Sequence, residues 1–399
     1  MTHGIANAVV AQSGGPTAVI NQSVVGVIRA ARELNLCSTV YGSRHGVRGM
    51  ITDDFVELQN IPDDRLDAIA NTPSAALGSS RDKPDQAYCE KIIDALIAKD
   101  IRSFFYIGGN DSSDTCRIVN EVAKSKGHEM RCFHVPKTID NDLVMNDHTP
   151  GYASAARYVA KAFMGDNLDN AALPGIKINV VMGRHAGFLT AAAALTRRDE
   201  ADGPHLVYCP ERAFDLDAFA GRVDEIYSKH GRCQIAISEG IQDKDGQSLG
   251  AKFIKGEADA HGNVQLAGSG ALGDNLADYL KQKLTPAGGK PPRVRADTLG
   301  YPQRCYPDPS PIDQREAYGA ARKAVEVCAS GEHPDGSIAL VRKGGSEYGC
   351  DFERIELTDV AAKTRHMPDE WFKGDDNVSD VFVEWLRPLV GEMPEVGRI

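Results

Sequence analysis

The sequence predicts an α/β protein built on largely parallel sheets. Short apolar runs rich in β-branched and aromatic residues alternate with segments of helical periodicity, and glycine-rich turns recur where a run ends and a helical segment begins. The rhythm opens with Ala8-Val9-Val10-Ala11 and a helix from about Pro16 to Leu34. In that helix Ile20, Val24, Val27, Ile28, Ala31 and Leu34 recur at intervals of three and four, and Pro16 suits a first helical position. Further strands are expected at Ser103 to Ile107, Cys132 to Val135, Ile176 to Val181, His205 to Cys209, Cys233 to Ser238 and Ser337 to Val341. Both halves of the chain read as α/β. A break is expected near Thr149-Pro150-Gly151, a loop or insertion near 243–293, and an amphipathic closing helix from Val378, Val381, Phe382, Trp385 and Leu386.

With 399 residues, 42% of them hydrophobic and 25% charged, the chain is long enough for two or three globular domains. No apolar run reaches the length of a membrane span, and the start has no charged region leading into an apolar one, so a cytoplasmic protein is expected. The nine cysteines are scattered singly, which reads as reduced thiols and not as a disulfide framework or zinc site. A net charge of −11 argues against nucleic-acid or membrane-surface binding, because phosphate backbones and anionic lipids would be repelled. An anionic small substrate remains compatible, since Arg81, Lys137, Arg184, Arg295 and Arg304 all fall beside Gly-rich or turn sequence.

The chemistry gathers where strands end. Ser13-Gly14-Gly15-Pro16-Thr17 joins a strand to a helix, so backbone N–H groups can face an anion without β-carbons in the way; a tight structural turn is the alternative. Ile107-Gly108-Gly109-Asn110-Asp111-Ser112-Ser113-Asp114 repeats the arrangement. One of Ser112, Ser113 or Asp114 is expected to cap the helix, which leaves Asn110 and Asp111 unexplained. After Cys132 to Val135 comes Pro136-Lys137-Thr138-Ile139-Asp140-Asn141-Asp142, two carboxylates and an ammonium in one turn. That combination suits phosphoryl transfer: a carboxylate takes the proton of an attacking hydroxyl while lysine offsets phosphoryl charge. Met182-Gly183-Arg184, Glu239-Gly240 and the stretch Arg295 to Arg304, with Tyr301, offer guanidinium and carboxylate groups for a sugar phosphate; a strand-end turn or an exposed charge is the alternative for each. Gly268-Ser269-Gly270-Ala271-Leu272-Gly273 satisfies a dinucleotide-binding pattern, but the sequence beyond it is a Pro/Gly loop without the expected acidic strand end. A turn leading into a helix is the better reading.

Taken in order, Gln12-Ser13-Gly14-Gly15, Gly78-Ser79-Ser80-Arg81, Gly108 to Ser112, Pro136 to Asp142, Met182-Gly183-Arg184, Ser238-Glu239-Gly240 and Leu299 to Arg304 resemble the phosphofructokinase family, pyrophosphate-dependent branch. The resemblance implies two domains of similar topology with largely parallel sheets and an active site in the cleft between them. It assigns 1–150, completed by part of 305–335, to the donor phosphates, 151–304 to the sugar phosphate, and 336–399 to a strand and helix packing on the core. It implies Asp140 as general base, with Lys137 and Asp111 beside it in catalysis. Thr138, Ile139, Met182, Gly183, Arg184, Glu239, Arg295, Tyr301 and Arg304 would bind fructose 6-phosphate, and Gly14, Gly15 and Arg81 pyrophosphate. Arg295 matches an arginine that in many members reaches a neighbouring subunit's site.

ATP-using members typically carry Gly-Gly-Asp-Gly-Ser and Gly-Thr-Ile-Asp-Asn-Asp, so Asp111 and Lys137 are the departures here. A carboxylate at 111 would occupy the space of the ATP α-phosphate and repel it, and Lys137 would stabilise charge on the small inorganic donor. Asn110 stands where a magnesium-associated aspartate is usual, so Mg²⁺ would be held by pyrophosphate, water and carboxylates such as Asp111. Gly175 stands where bacterial ATP enzymes have an intersubunit arginine, with Lys177 as a candidate substitute. A homo-oligomer, a homodimer in the first instance, is implied. An ATP-dependent enzyme and a catalytically silent phosphosugar-binding regulator stay as alternatives.

Overall fold

The computed structural model describes residues 6–250, 269–345 and 347–397. The chain forms two compact units, one of residues 1–154 and 304–365, the other of 155–303 and 366–399. The expected segment 336–399 is thus divided between them, and the break expected near 149–151 falls a few residues later. Along the chain the strands are β1 (Asn7–Gln12), β2 (Val40–Ser43), β3 (Phe55–Glu57), β4 (Ile101–Gly108), β5 (Arg131–Pro136), β6 (Ile176–Val181), β7 (Leu206–Tyr208), β8 (Cys233–Ser238), β9 (Val294–Thr298), β10 (Asp335–Arg342) and β11 (Cys350–Ile355). The helices that bear on the argument are α1 (Ile20–Glu33), α2 (Asn110–Ser125), α3 (Tyr152–Ala172), α4 (Leu216–His230), α5 (Ala271–Lys283), α6 (Pro311–Ser330) and α7 (Asp380–Val390).

The first unit is a seven-stranded sheet in the order β11-β10-β5-β4-β1-β2-β3, parallel except at its two edge pairs. Both faces of its centre are covered. Val10, Phe105 and Phe133 point into one apolar cluster with Ile28 and Ala321, while Val9, Phe104 and Cys132 point into another with Ile93 and Val119. Burial on both sides is why these strands read as unbroken apolar runs in the sequence. The second unit holds a four-stranded parallel sheet, β7-β8-β6-β9, with its own cluster around Ile178, Ile235 and Phe219.

Three local expectations need correction. α1 starts at Ile20 and not at Pro16, because the Thr17 hydroxyl accepts the Val19 amide (3.4 Å) and Gln12 bonds Asn21 (2.9 Å), which keeps 13–19 a loop. The closing helix begins at Asp380, so Val378 precedes it and Val381 faces solvent. Phe382, Leu386, Leu389 and Val390 form the buried face instead. The Ser112, Ser113 and Asp114 cap is absent because α2 starts at Asn110 with Gly109 in the cap position, placing all three inside the helix. Of the dinucleotide-like pattern, Gly268 lies outside the described residues, as does 251–268 of the expected insertion; Ser269 and Gly270 precede α5, and Ala271, Leu272 and Gly273 are its first residues.

Helix α1 packs closely on α6 at Gly26. A β-carbon on Gly26 would meet the Tyr318 carbonyl at 2.7 Å and Ala321 Cβ at 3.0 Å, so the two backbones approach only because position 26 has no side chain. Gly26→Ala should therefore destabilise by about 1–3 kcal/mol, since backbone must move. Gly221→Ala, at an exposed point of α4 with open space around it, should stabilise by about 0.5–1 kcal/mol. Urea unfolding of both variants checks the pair, and shifts of the same sign would contradict the packing.

Candidate active site

Three adjacent strand ends build the centre of the first unit. β5, β4 and β1 lie side by side, with Gly108 opposite Pro136 and Gln12 opposite Ile107, so the turns that follow them leave the sheet at one level. Carboxyl ends of parallel strands are where such sheets place ligands, because the loops diverge there and helix N-termini point inward. The turn after β1 is held by Ser13 N–H on the Ile107 carbonyl (2.9 Å) and Gly14 N–H on the Ser80 carbonyl (2.9 Å). Ser79 donates to the Gly14 carbonyl (2.6 Å). Gly14 has φ +74°, and a β-carbon there would meet Lys137 Nζ at 3.1 Å. One on Gly15 would meet Arg304 Nε at 3.1 Å. Both glycines let cations close on the turn.

Lys137 is the pivot. Its amide donates to the Gly108 carbonyl (2.9 Å) and its Nζ to the Gly15 carbonyl (2.8 Å), so one residue ties all three strand ends together. The residue is 3% exposed. Burial first, and then the Arg304 guanidinium, push its ammonium down to about 7, against the pull of Asp140 and Asp142; Arg81 adds to the depression. Beneath it, buried His134 bonds the Gly108 carbonyl through Nε2 (2.9 Å) and Ser337 through Nδ1 (2.8 Å). Burial holds that ring neutral, near 4.

Thr138, Ile139 and Asp140 continue from Lys137. The Thr138 hydroxyl accepts the Asp140 amide (3.1 Å), folding the carboxylate back over the turn, and Ile139 is buried. Asn110 opens α2 and donates its amide to Asp142 Oδ2 (2.9 Å). That bond leaves Asn110 Oδ1 buried and without a hydrogen-bond partner among the described residues, next to a carboxyl raised by burial and by the charge of Asp140. An oriented carbonyl oxygen beside carboxylates is the donor set of a hard divalent cation, so the residues fit one. Asp142 belongs with the site, although the sequence argument used it only as the second carboxylate of the turn. Asp111, in the first turn of α2, faces Lys83 at 3.5 Å; both side chains are more than half exposed, and the pair contributes about 0–1 kcal/mol.

In the second unit, β6 and β8 end together, Val181 opposite Ser238. Ser238 Oγ donates to the Gly183 carbonyl (2.5 Å), the Met182 amide donates to Gln303 (3.2 Å), and Glu239 N–H donates to Val181 (2.9 Å), leaving Met182 and Glu239 buried. Gly240 is required there: a β-carbon would fall 2.0 Å from the Arg184 carbonyl. Tyr301 follows the end of β9 and is 41% exposed. Arg295 is not with them. It is exposed on edge strand β9 opposite Lys177, five residues before Met182 along β6, or about 16 Å at strand rise. Lys177 is held by Asp166 (2.6 Å) and Asp169 within its own unit.

The Phosphofructokinase family model matches residues 7–328. The chain is 52% identical over 396 residues, 98% of this chain and 96% of the relative, to the pyrophosphate–fructose 6-phosphate 1-phosphotransferase of Rhodospirillum rubrum. It is 37% identical over 395 residues, 96% of this chain and 91% of the relative, to the protein of the same name from Halomonas elongata. The crystal structure of pyrophosphate-dependent phosphofructokinase from Nitrosospira multiformis superposes with a TM-score of 0.86 at 32% identity, covering 98% of this chain and 94% of that one.

The depressed Lys137 has a stability signature. The folded chain releases this proton near pH 7 and the unfolded chain only near 10.5, so between those values unfolding takes up a proton and stability rises with pH. Relative to Lys137→Met, the wild type should gain up to about 1.4 kcal/mol per pH unit across that window. Urea unfolding at several pH values checks it, and a constant difference between the proteins would contradict it.

Proposed function

The chain belongs to the phosphofructokinase family, and from that premise we infer that it transfers a phosphoryl group from pyrophosphate to the 1-hydroxyl of fructose 6-phosphate. The products are fructose 1,6-bisphosphate and phosphate. The reaction is reversible, because the two phosphoryl bonds have comparable transfer potential, and it serves sugar-phosphate metabolism in glycolysis and gluconeogenesis. The observation that carries this reading is the convergence of Gly14-Gly15, Gly109-Asn110 and the Lys137–Asp140 turn on three adjacent strand ends, with a buried ammonium bonded to the first of them.

Asp140 takes the proton from the sugar hydroxyl as its oxygen attacks phosphorus. The bond to the leaving phosphate breaks as the new one forms, so the work left to the protein is positioning and charge. Lys137, with Gly14, Gly15 and Arg81 around it, offsets charge on the donor phosphates, and Arg304, expected from the sequence at the sugar phosphate, stands beside Gly15 of the same turn. Entry of that anion favours the protonated lysine, which gives the site a charge matched to its ligand only when the ligand is present. Met182, Gly183, Arg184, Glu239, Thr138 and Tyr301 receive the sugar phosphate. Asp111 excludes a nucleotide by repelling an α-phosphate. Mg²⁺ suits Asn110 Oδ1 with Asp111, Asp140 and Asp142 nearby, and would neutralise phosphate charge when bound. Arg295, exposed on its edge strand, suits a contact with a second copy in a homo-oligomer. A cytoplasmic setting is supported by nine free cysteines.

Steady-state formation of fructose 1,6-bisphosphate, with pyrophosphate and ATP compared as donors, tests the reading. Pyrophosphate alone should support wild-type turnover, and Asp111→Gly should gain some ATP use; ATP preference in the wild type would overturn the donor. Asp140→Asn should lower kcat by about 10²–10⁴ with KM nearly unchanged. A variant with wild-type kcat would remove Asp140 from the role of base.

A further inference from the structure

We propose that His148, clamped between Asp147 and Glu316, is the positioning residue that holds the turn Lys137–Asp142 in its working geometry, a proposal that rests on the phosphotransferase reading of that turn. The ring is fully buried. Its Nδ1 lies 2.8 Å from Asp147 Oδ2 and its Nε2 lies 2.6 Å from Glu316 Oε2. Ionised carboxylates only accept hydrogen bonds, so both ring nitrogens must carry protons and the ring is an imidazolium. Burial pulls the ring's proton affinity down, but the bonds to Asp147 and Glu316 outweigh it and lift the group to about 9.

The groups facing the ring come from every neighbouring element. Arg342 of β10 bonds the same Asp147 oxygen (3.1 Å), and the Arg365 guanidinium holds the Asp147 carbonyl (2.6 Å). Tyr348, between β10 and β11, donates to Glu316 Oε1. Cys350 of β11 contributes a thiol pushed up to about 12 by burial, hence neutral. Asp313 lies one turn before Glu316 on α6. Donor atoms of His148, Glu316 and Cys350 all lie within 4.8 Å of one another. A metal is nonetheless the poorer reading. A histidine nitrogen and a carboxylate oxygen on one zinc ion sit about 3.3 Å apart, and the 2.6 Å separation here is that of a shared proton.

The clamp reaches the turn through the next residues. Thr149 Oγ1 donates to the Thr138 carbonyl (2.9 Å) and the Pro150 carbonyl accepts the Thr138 amide (3.1 Å), so the two residues after His148 hold both backbone groups of Thr138. Asp313 then fixes the Gly151 amide (2.8 Å) and the Ser154 amide (2.9 Å). Helix α6 thus grips the segment through Glu316 and Asp313, on either side of the pair that supports Thr138. A neutral His148 would face the buried Glu316 and the half-buried Asp147 with one proton too few, and the segment would move to relieve them.

The test compares wild type, Glu316→Gln and Glu316→Asp in pyrophosphate-dependent turnover. Glu316→Gln should lower kcat about 10–100-fold at unchanged KM and move the alkaline fall of kcat to lower pH by about one unit or more. Glu316→Asp, which keeps the charge, should recover part of the rate. A loss of melting temperature with wild-type kcat and pH profile would overturn the proposal. Nitrogen-15 NMR of histidine-labelled wild type needs no variant to fold and no turnover: a doubly protonated His148 at neutral pH supports the clamp, and a neutral tautomer overturns it. Because the NMR readout is independent of activity, failure of the clamp is distinguishable from failure of the phosphotransferase reading.

Discussion

A lysine with 3% of its surface exposed cannot keep its charge at no cost, and the carboxyl ends of β1, β4 and β5 are organised around that difficulty. Among the described residues the Lys137 Nζ donates to the Gly15 carbonyl, with two guanidinium neighbours that oppose its charge and two carboxylates that favour it. The result is a group poised near neutrality. Such a group binds anions well for a physical reason: an incoming negative charge gains both the Coulomb attraction and the proton that restores it.

The surrounding structure can be read as support for that poise. Glycines at 14 and 15 let the two cations approach, and His134 stays neutral below the Gly108 carbonyl so that no further positive charge enters. Asp142 is shared with Asn110, which orients the amide oxygen away from it. The segment from Asp142 to Gly151 is tied to β10 at Leu340, to α6 at Asp313, and to Arg365, which gives the turn fixed supports on several elements. Rigid support matters because displacement of a reacting group by about 1 Å can cost a factor of 10² in rate.

Much of this was legible in the sequence, for reasons specific to each element. β1, β4, β5, β6 and β8 are buried on both faces and therefore stand out as apolar runs. β3, β9 and β11 do not: Phe55–Glu57 is three residues long, and Val294–Thr298 and Cys350–Ile355 are polar edge strands with alternating or little burial. The motif order singled out Gly14, Gly108, Lys137, Asp140, Arg184 and Glu239, since glycine next to a strand end has a local meaning, and the structure places the first four at adjacent strand ends of one sheet. What could not be read locally was pairing over long separations. Asn110 with Asp142 and His148 with Glu316 depend on how the sheet and α6 come together. The position of Arg295, early on an edge strand, likewise follows from register with Lys177 and not from its neighbours in sequence.

With its ammonium pushed down to about 7 by burial, Lys137 is largely neutral at about pH 8 before the donor phosphates arrive and charged afterwards. Calorimetric titration of pyrophosphate into the protein at about pH 8, repeated in buffers of different ionisation enthalpy, counts the protons taken up on binding. The wild type should take up close to one proton more than Lys137→Met under the same conditions. Equal proton uptake by the two proteins, with pyrophosphate bound by both, would show that the buried lysine does not change charge and would contradict the account.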